Sequence, residues 1–234
     1  MNALSVKNIS KTINKKNILN NVNFSLEEGT ITGFIGHNGA GKSTTFKIIM
    51  NLIHPNSGQI LIWDEKPEDH DIYKKVGYIP ESPLYPDYLN AKEFLSYMCD
   101  LLNIPSAKKS SLVKDAILQV GIEKHTSKLI KYYSKGMKQK LGIAQMLLAQ
   151  PSLLIMDEPL SGLDPIGRHD ILKIMDDLKS ENKTILFSSH ILYDIEKICS
   201  RYVMIADGTI IGDIPANQTN NIEELYLSKI RKDS

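Results

Sequence analysis

One run constrains the fold of this chain more than any other: Gly36-His37-Asn38-Gly39-Ala40-Gly41-Lys42-Ser43, which fits G-x-x-x-x-G-K-[ST]. It lies between an apolar stretch, Thr30–Ile35, and a helical pattern over Lys42–Leu52 that His54-Pro55 ends. Glycines at 36, 39 and 41 let the backbone turn its amides inward around an anion. A helix beginning at Lys42 aims the positive end of its dipole at the same point. Lys42 then reaches the β- and γ-phosphates of a nucleotide, and the Ser43 hydroxyl serves Mg²⁺.

The rest of the chain supplies the matching context. Leu4–Ile9, Val22–Leu26, Gln59–Ile62 and Val76–Ile79 are strand-sized apolar runs. From about Glu81 to Gln150 the texture becomes helical. Asn90 followed by Glu93 predicts a capped helix start, and Phe94, Leu95, Met98, Leu101 and Leu102 follow at helical spacing. Leu112–Val120 and Gly136–Ala149 predict two more helices. After Pro151 strands and helices alternate again, through Leu153–Met156, Thr184–Phe187 and Tyr202–Ala206. Asp207-Gly208 then predicts a hairpin. The pattern is an α/β sheet core interrupted by a helical lobe. A surface helix with Ile222, Leu225, Tyr226 and Ile230 on one face is expected in the tail.

Composition excludes several classes. Lys and Arg number 28 against 27 Asp and Glu, so a net charge of +1 gives no bulk reason to expect nucleic acid. Cys99 and Cys199 lie far apart without CxxC spacing and read as reduced thiols of a cytosolic chain. The start, Met1 to Lys7, lacks the apolar stretch of a signal peptide. No run approaches the roughly 18 apolar residues of a membrane span. The chain is expected to be soluble, with any membrane role coming through a partner.

A second chemical element is Leu153-Leu154-Ile155-Met156-Asp157-Glu158. A buried strand that delivers acidic residues at its carboxyl end suits a nucleotide site. Asp157 can hold Mg²⁺ through its water shell. Glu158 can accept a proton from water attacking the γ-phosphorus. By itself such a pair is more often a solvated strand end; the glycine-rich run tips the balance.

With these motifs the sequence resembles the ATP-binding cassette family, the ATPase subunits of ABC transporters, over roughly Leu4 to Gly212. Ser134-Lys135-Gly136-Met137-Lys138-Gln139 is similar to the family's signature sequence, Ser161-Gly162-Leu163-Asp164 to its D-loop, and Ser188-Ser189-His190 to its switch histidine. The resemblance implies an α/β P-loop NTPase core with an antiparallel β subdomain and an inserted α-helical lobe. Its division would be 1–80 with 151–212 as the ATP-binding core, 81–150 as the lobe, and 213–234 as the tail. ATP and Mg²⁺ are the implied cofactors. Gly36 to Thr44, His37, Asn38 and Ala40 included, would hold the phosphates. His190 would donate to the γ-phosphate and share the catalytic work with Glu158 and Lys42. Ser134, Gly136 and Asp164 would close over the ATP of a second ABC ATPase subunit. Integral membrane permease subunits are the other implied partners, nucleic acid is not, and the subunit would sit peripherally on the inner face of the cell membrane.

Three places depart from the family's pattern. Ile13 stands where an aromatic often stacks on adenine, so the base contact is expected to be aliphatic and less selective. Glu81 replaces a glutamine and would serve the metal or water as a carboxylate, unable to donate as an amide does. Tyr133, Lys135 and Met137 replace commoner signature residues, as in subunits that serve separately encoded exporter membrane proteins. Glu81–Leu89, with Leu84, Tyr85 and Tyr88, could receive a coupling helix. The competing expectation is a soluble ABC-type ATPase acting on ribosomes or nucleic acid; one phosphate loop and no heptad run argue against it. A guanine-reading protein is excluded because Asn182-Lys183-Thr184-Ile185 lacks the aspartate of N-K-x-D.

Overall fold

The structure is a computed structural model that describes residues 1–67 and 70–232. The expected tail's last two residues lie outside that range. In chain order the elements are β1 (Asn2–Ile13), β2 (Lys16–Glu27), β3 (Ile31–Ile35), α1 (Lys42–Ile49), β4 (Ser57–Ile62) and β5 (Val76–Ile79). Then come α2 (Ala91–Leu101), α3 (Ser106–Gln119), α4 (Lys135–Leu147), β6 (Leu153–Met156) and α5 (Pro165–Ser180). The chain closes with β7 (Thr184–Ser189), α6 (Leu192–Glu196), β8 (Arg201–Ala206), β9 (Thr209–Pro215) and α7 (Ile222–Lys232).

Two sheets share the molecule. β2-β1-β4 is antiparallel, and β5-β6-β7-β3-β8-β9 is parallel except for the β8–β9 pair. The parallel strands are buried on both faces, which is why their sequences run apolar without alternation. Their side chains still alternate in space. Leu154 and Met156 of β6 face the core shared with the helical lobe and α5, while Leu153 and Ile155 face the core shared with α1 and the antiparallel sheet. Phe34 of β3 ties that second core together, its ring centroid 5.2 Å from Phe24 and 5.5 Å from Phe46. Each such pair adds about 0.5–1.5 kcal/mol beyond burial. The central strand that feeds the glycine-rich loop is thereby clamped between sheet and helix.

Local chemistry explains most boundaries. Asn90 Oδ1 accepts from the Glu93 amide at 3.0 Å while Glu93 Oε2 accepts from the Asn90 amide at 2.9 Å, the expected reciprocal cap of α2. Asp207 (φ 45°) and Gly208 (φ 77°) make the expected tight hairpin between β8 and β9. β1 and β2 run further than their apolar cores, because hydrogen bonding continues through exposed polar residues to Asn14 (φ 50°) and Lys15 (φ 64°). α3 starts at Ser106, six residues before its apolar stripe.

The tail differs most from expectation. Its apolar face is as the spacing predicts, but it does not simply lie on the surface. Ile222 is fully buried, Tyr226 is buried, and Leu225 and Ile230 pack against the main core. No helix among the described residues is long and apolar enough to cross a membrane.

Candidate active site

β3 delivers the glycine-rich loop at the carboxyl edge of the parallel sheet. Gly36 cannot carry a side chain, because a Cβ there would stand 2.7 Å from the Ile205 carbonyl oxygen. Gly41 (φ 111°) precedes α1 and caps it with no side chain. The amides of Gly39, Gly41, Lys42, Ser43 and Thr44 therefore have no acceptor among the described residues. Five unpartnered donors at one helix start form a fitting cradle for phosphate oxygens.

Lys42 is buried, and its Nζ lies 2.6 Å from Gly36 O, 3.2 Å from His37 O and 3.1 Å from Glu158 Oε1. The approach to Glu158 is off the hydrogen-bonding direction, so Oε1 forms an ion pair yet keeps acceptor capacity. β6 places the two acids side by side, and Ser188, near the end of neighbouring β7, fixes both. Its Oγ accepts from the Glu158 amide at 2.7 Å and donates to Asp157 Oδ1 at 2.7 Å. Asp157 Oδ2 has no hydrogen-bond donor among the described residues and stays available to a cation. His190 Nδ1 lies 2.9 Å from Glu158 Oε2. Tyr78 on β5 has its hydroxyl pushed up to about 12, first by burial and then by the charge of Asp157.

A cleft of about 410 Å³ runs along the loop, lined by Lys16, Ile18, Asn38, Ser43, Glu81 and Glu158 among others. Lys42, Ser43, Thr44, Glu158 and Glu81 thus come together as the sequence suggests. Ile13 does not line the cleft: it is 40% exposed at the end of β1, paired across the hairpin with Lys16, which does. Ser134, Gly136 and Asp164 meet each other in a different cleft, of about 400 Å³, with none of the phosphate-loop residues. There Ser134 Oγ caps α4 by accepting from the Met137 amide at 3.3 Å, and Asp164 Oδ1 caps α5 from the Gly167 amide at 2.7 Å. Sequence reasoning missed Ser188, Lys16, Ile18 and Tyr78 as site neighbours. Only Ser188 lay inside a recognised motif, and its role appears once β6 and β7 are known to pair.

Residues 19–161 match the ABC transporter family. The chain belongs to that family. It is an ATP-binding, ATP-hydrolysing subunit of an ABC transporter, with the P-loop NTPase fold. This ABC subunit is 37% identical over 227 residues to the lantibiotic transport ATP-binding protein SrtF of Streptococcus pyogenes, covering 97% of each chain. It is 36% identical to the bacitracin transport ATP-binding protein BcrA of Bacillus licheniformis, over 96% of this chain and 73% of that one. A solved ATP-binding subunit of an ABC transporter superposes with a TM-score of 0.86 at 31% identity, covering 97% of this chain and 99% of the other.

Proposed function

We propose that the ABC subunit hydrolyses ATP in the cleft along Gly36–Thr44, with Glu158 as the group that activates water. The observation that carries this is the joint placement of the unpartnered amides, Lys42 and Glu158. A γ-phosphate entering the cradle competes for Lys42, which loosens the Lys42–Glu158 pair and frees the carboxylate to accept a proton. Ser188 keeps Glu158 aimed while that exchange occurs. His190 spends Nδ1 on Glu158, so its Nε2 is the nitrogen left to meet a phosphate oxygen. Mg²⁺ fits the Ser43 hydroxyl and Asp157 and would neutralise phosphate charge there. Glu81 is an oxygen donor at the same cleft.

Ser134, Gly136 and Asp164 stand apart from the phosphate loop, which suits closure of that second cleft over the nucleotide of another ATPase subunit. The subunit then drives integral membrane permease partners, with the helical lobe 81–150 and exposed Leu84 and Tyr88 at the coupling surface. The core 1–80 with 151–212 binds nucleotide, and the whole sits at the cytoplasmic face of the membrane. The lantibiotic and bacitracin transport relatives support an exporter of small antimicrobial peptides.

Replacing Lys42 by Ala tests the site. ATP binding is expected to weaken by at least about 1.5–3 kcal/mol, the scale of charge-assisted hydrogen bonds. Calorimetric titration reads this, and unchanged affinity would remove Lys42 from the site.

A further inference from the structure

The tail helix is tied to the phosphate loop at a point that hydrolysis does not use. The Ile222 amide donates to Glu196 Oε1 at 2.7 Å, anchoring the start of α7 to α6, the helix that follows His190. One turn on, the Tyr226 hydroxyl oxygen accepts from the His37 amide at 3.0 Å. His37 is the second residue of the loop. The amides of Gly39 and Gly41 to Thr44 are without acceptors among the described residues, whereas this one is committed to the tail. The β8–β9 turn braces the same stretch: the Gly208 amide donates to Ala40 O at 3.0 Å, and Asp207 Oδ1 stands 3.7 Å from His37 Nε2. Burial, offset in part by the His37 amide and reinforced by the charge of Asp207, raises the Tyr226 hydroxyl above its usual range. The oxygen therefore stays protonated and neutral.

We propose that Tyr226 is a positioning residue: its hydroxyl holds the His37 amide, and α7 acts as a strut between the phosphate loop and the helix after His190. The proposal rests on Gly36–Thr44 being the phosphate cradle. A loop held in its binding conformation loses less freedom when phosphate arrives, so affinity rises by part of that saving. One neutral hydrogen bond corresponds to an affinity change of about 3- to 10-fold. Coupling is reciprocal, so nucleotide that steadies the loop must also steady α7.

The test uses the full chain and ADP, which carries a β-phosphate and is not turned over. Calorimetry gives the ADP affinity of wild type, Tyr226→Phe and Lys42→Ala. Tyr226→Phe keeps the ring and loses the acceptor; it should bind ADP about 3- to 10-fold more weakly. Turnover at saturating ATP should stay within about two-fold, because uniform binding alters KM and not kcat. Hydrogen exchange over residues 222–232 should slow when ADP is added to wild type, and much less in Tyr226→Phe. A purely structural tyrosine would lower the melting temperature and leave ADP affinity unchanged. Equal affinity, or wild-type tail exchange that ignores ADP, would overturn the proposal. If Lys42→Ala also binds ADP normally, the phosphate-cradle assignment has failed; if Lys42→Ala is weak while Tyr226→Phe is normal, only the strut has failed.

Discussion

Glu158 holds a backbone φ of 49°, a left-handed conformation that costs a non-glycine residue about 1–3 kcal/mol. Its surroundings offset that cost: Ser188 Oγ takes its amide, and Lys42 and His190 flank its carboxylate. On the role proposed for Glu158, strain kept at that residue is preorganisation of its carboxylate. Ser188→Ala should therefore act on stability and on chemistry together. It leaves the buried Glu158 amide without an acceptor, a loss of about 1–3 kcal/mol in denaturant unfolding. Steady-state phosphate release should fall by roughly 10-fold or more as the acid loses its aim. Normal turnover in that variant would show that Ser188 only braces the strands. The acidic pair itself was legible from a strand ending in Asp157-Glu158. Ser188 was not, because its partners lie 30 and 31 residues away on a strand whose neighbour the sequence does not state.

The elements were legible where local chemistry sets them: the reciprocal cap at Asn90, the Asp207-Gly208 turn, and the apolar parallel strands. Tertiary contacts set the rest. The sequence shows the stripe Ile222, Leu225, Tyr226 and Ile230, but not which surface it covers. Likewise Gly77 on β5 carries no sequence signal, yet an added Cβ would run into Met146 of α4 and approach Pro151 Cγ at 3.1 Å. Gly77→Ala should cost about 1–3 kcal/mol by overpacking, read as a lower denaturation midpoint. A neutral result would mean that α4 shifts freely on the sheet. The β1–β2 hairpin borders the cleft. Ile13 faces Lys16 across it, and Lys16 and Ile18 line the cleft.

At the scale of the whole molecule, the proposed function divides one reaction between two chains. The phosphate loop and Glu158 line one cleft, with His190 beside Glu158, and Ser134, Gly136 and Asp164 line the other, so under that proposal a single subunit holds half of each closed site. ATP should then join two subunits and hydrolysis should part them. Glu158→Gln keeps the shape of the side chain and removes the proton acceptor. The decisive measurement is phosphate release by this variant beside wild type, with the same samples followed by size-exclusion chromatography and light scattering in ATP and Mg²⁺. Turnover should drop by roughly 10²–10⁴, the contribution of a positioned general base, while ATP still binds and a dimer persists. Near-normal phosphate release from Glu158→Gln would contradict the assignment of this site outright.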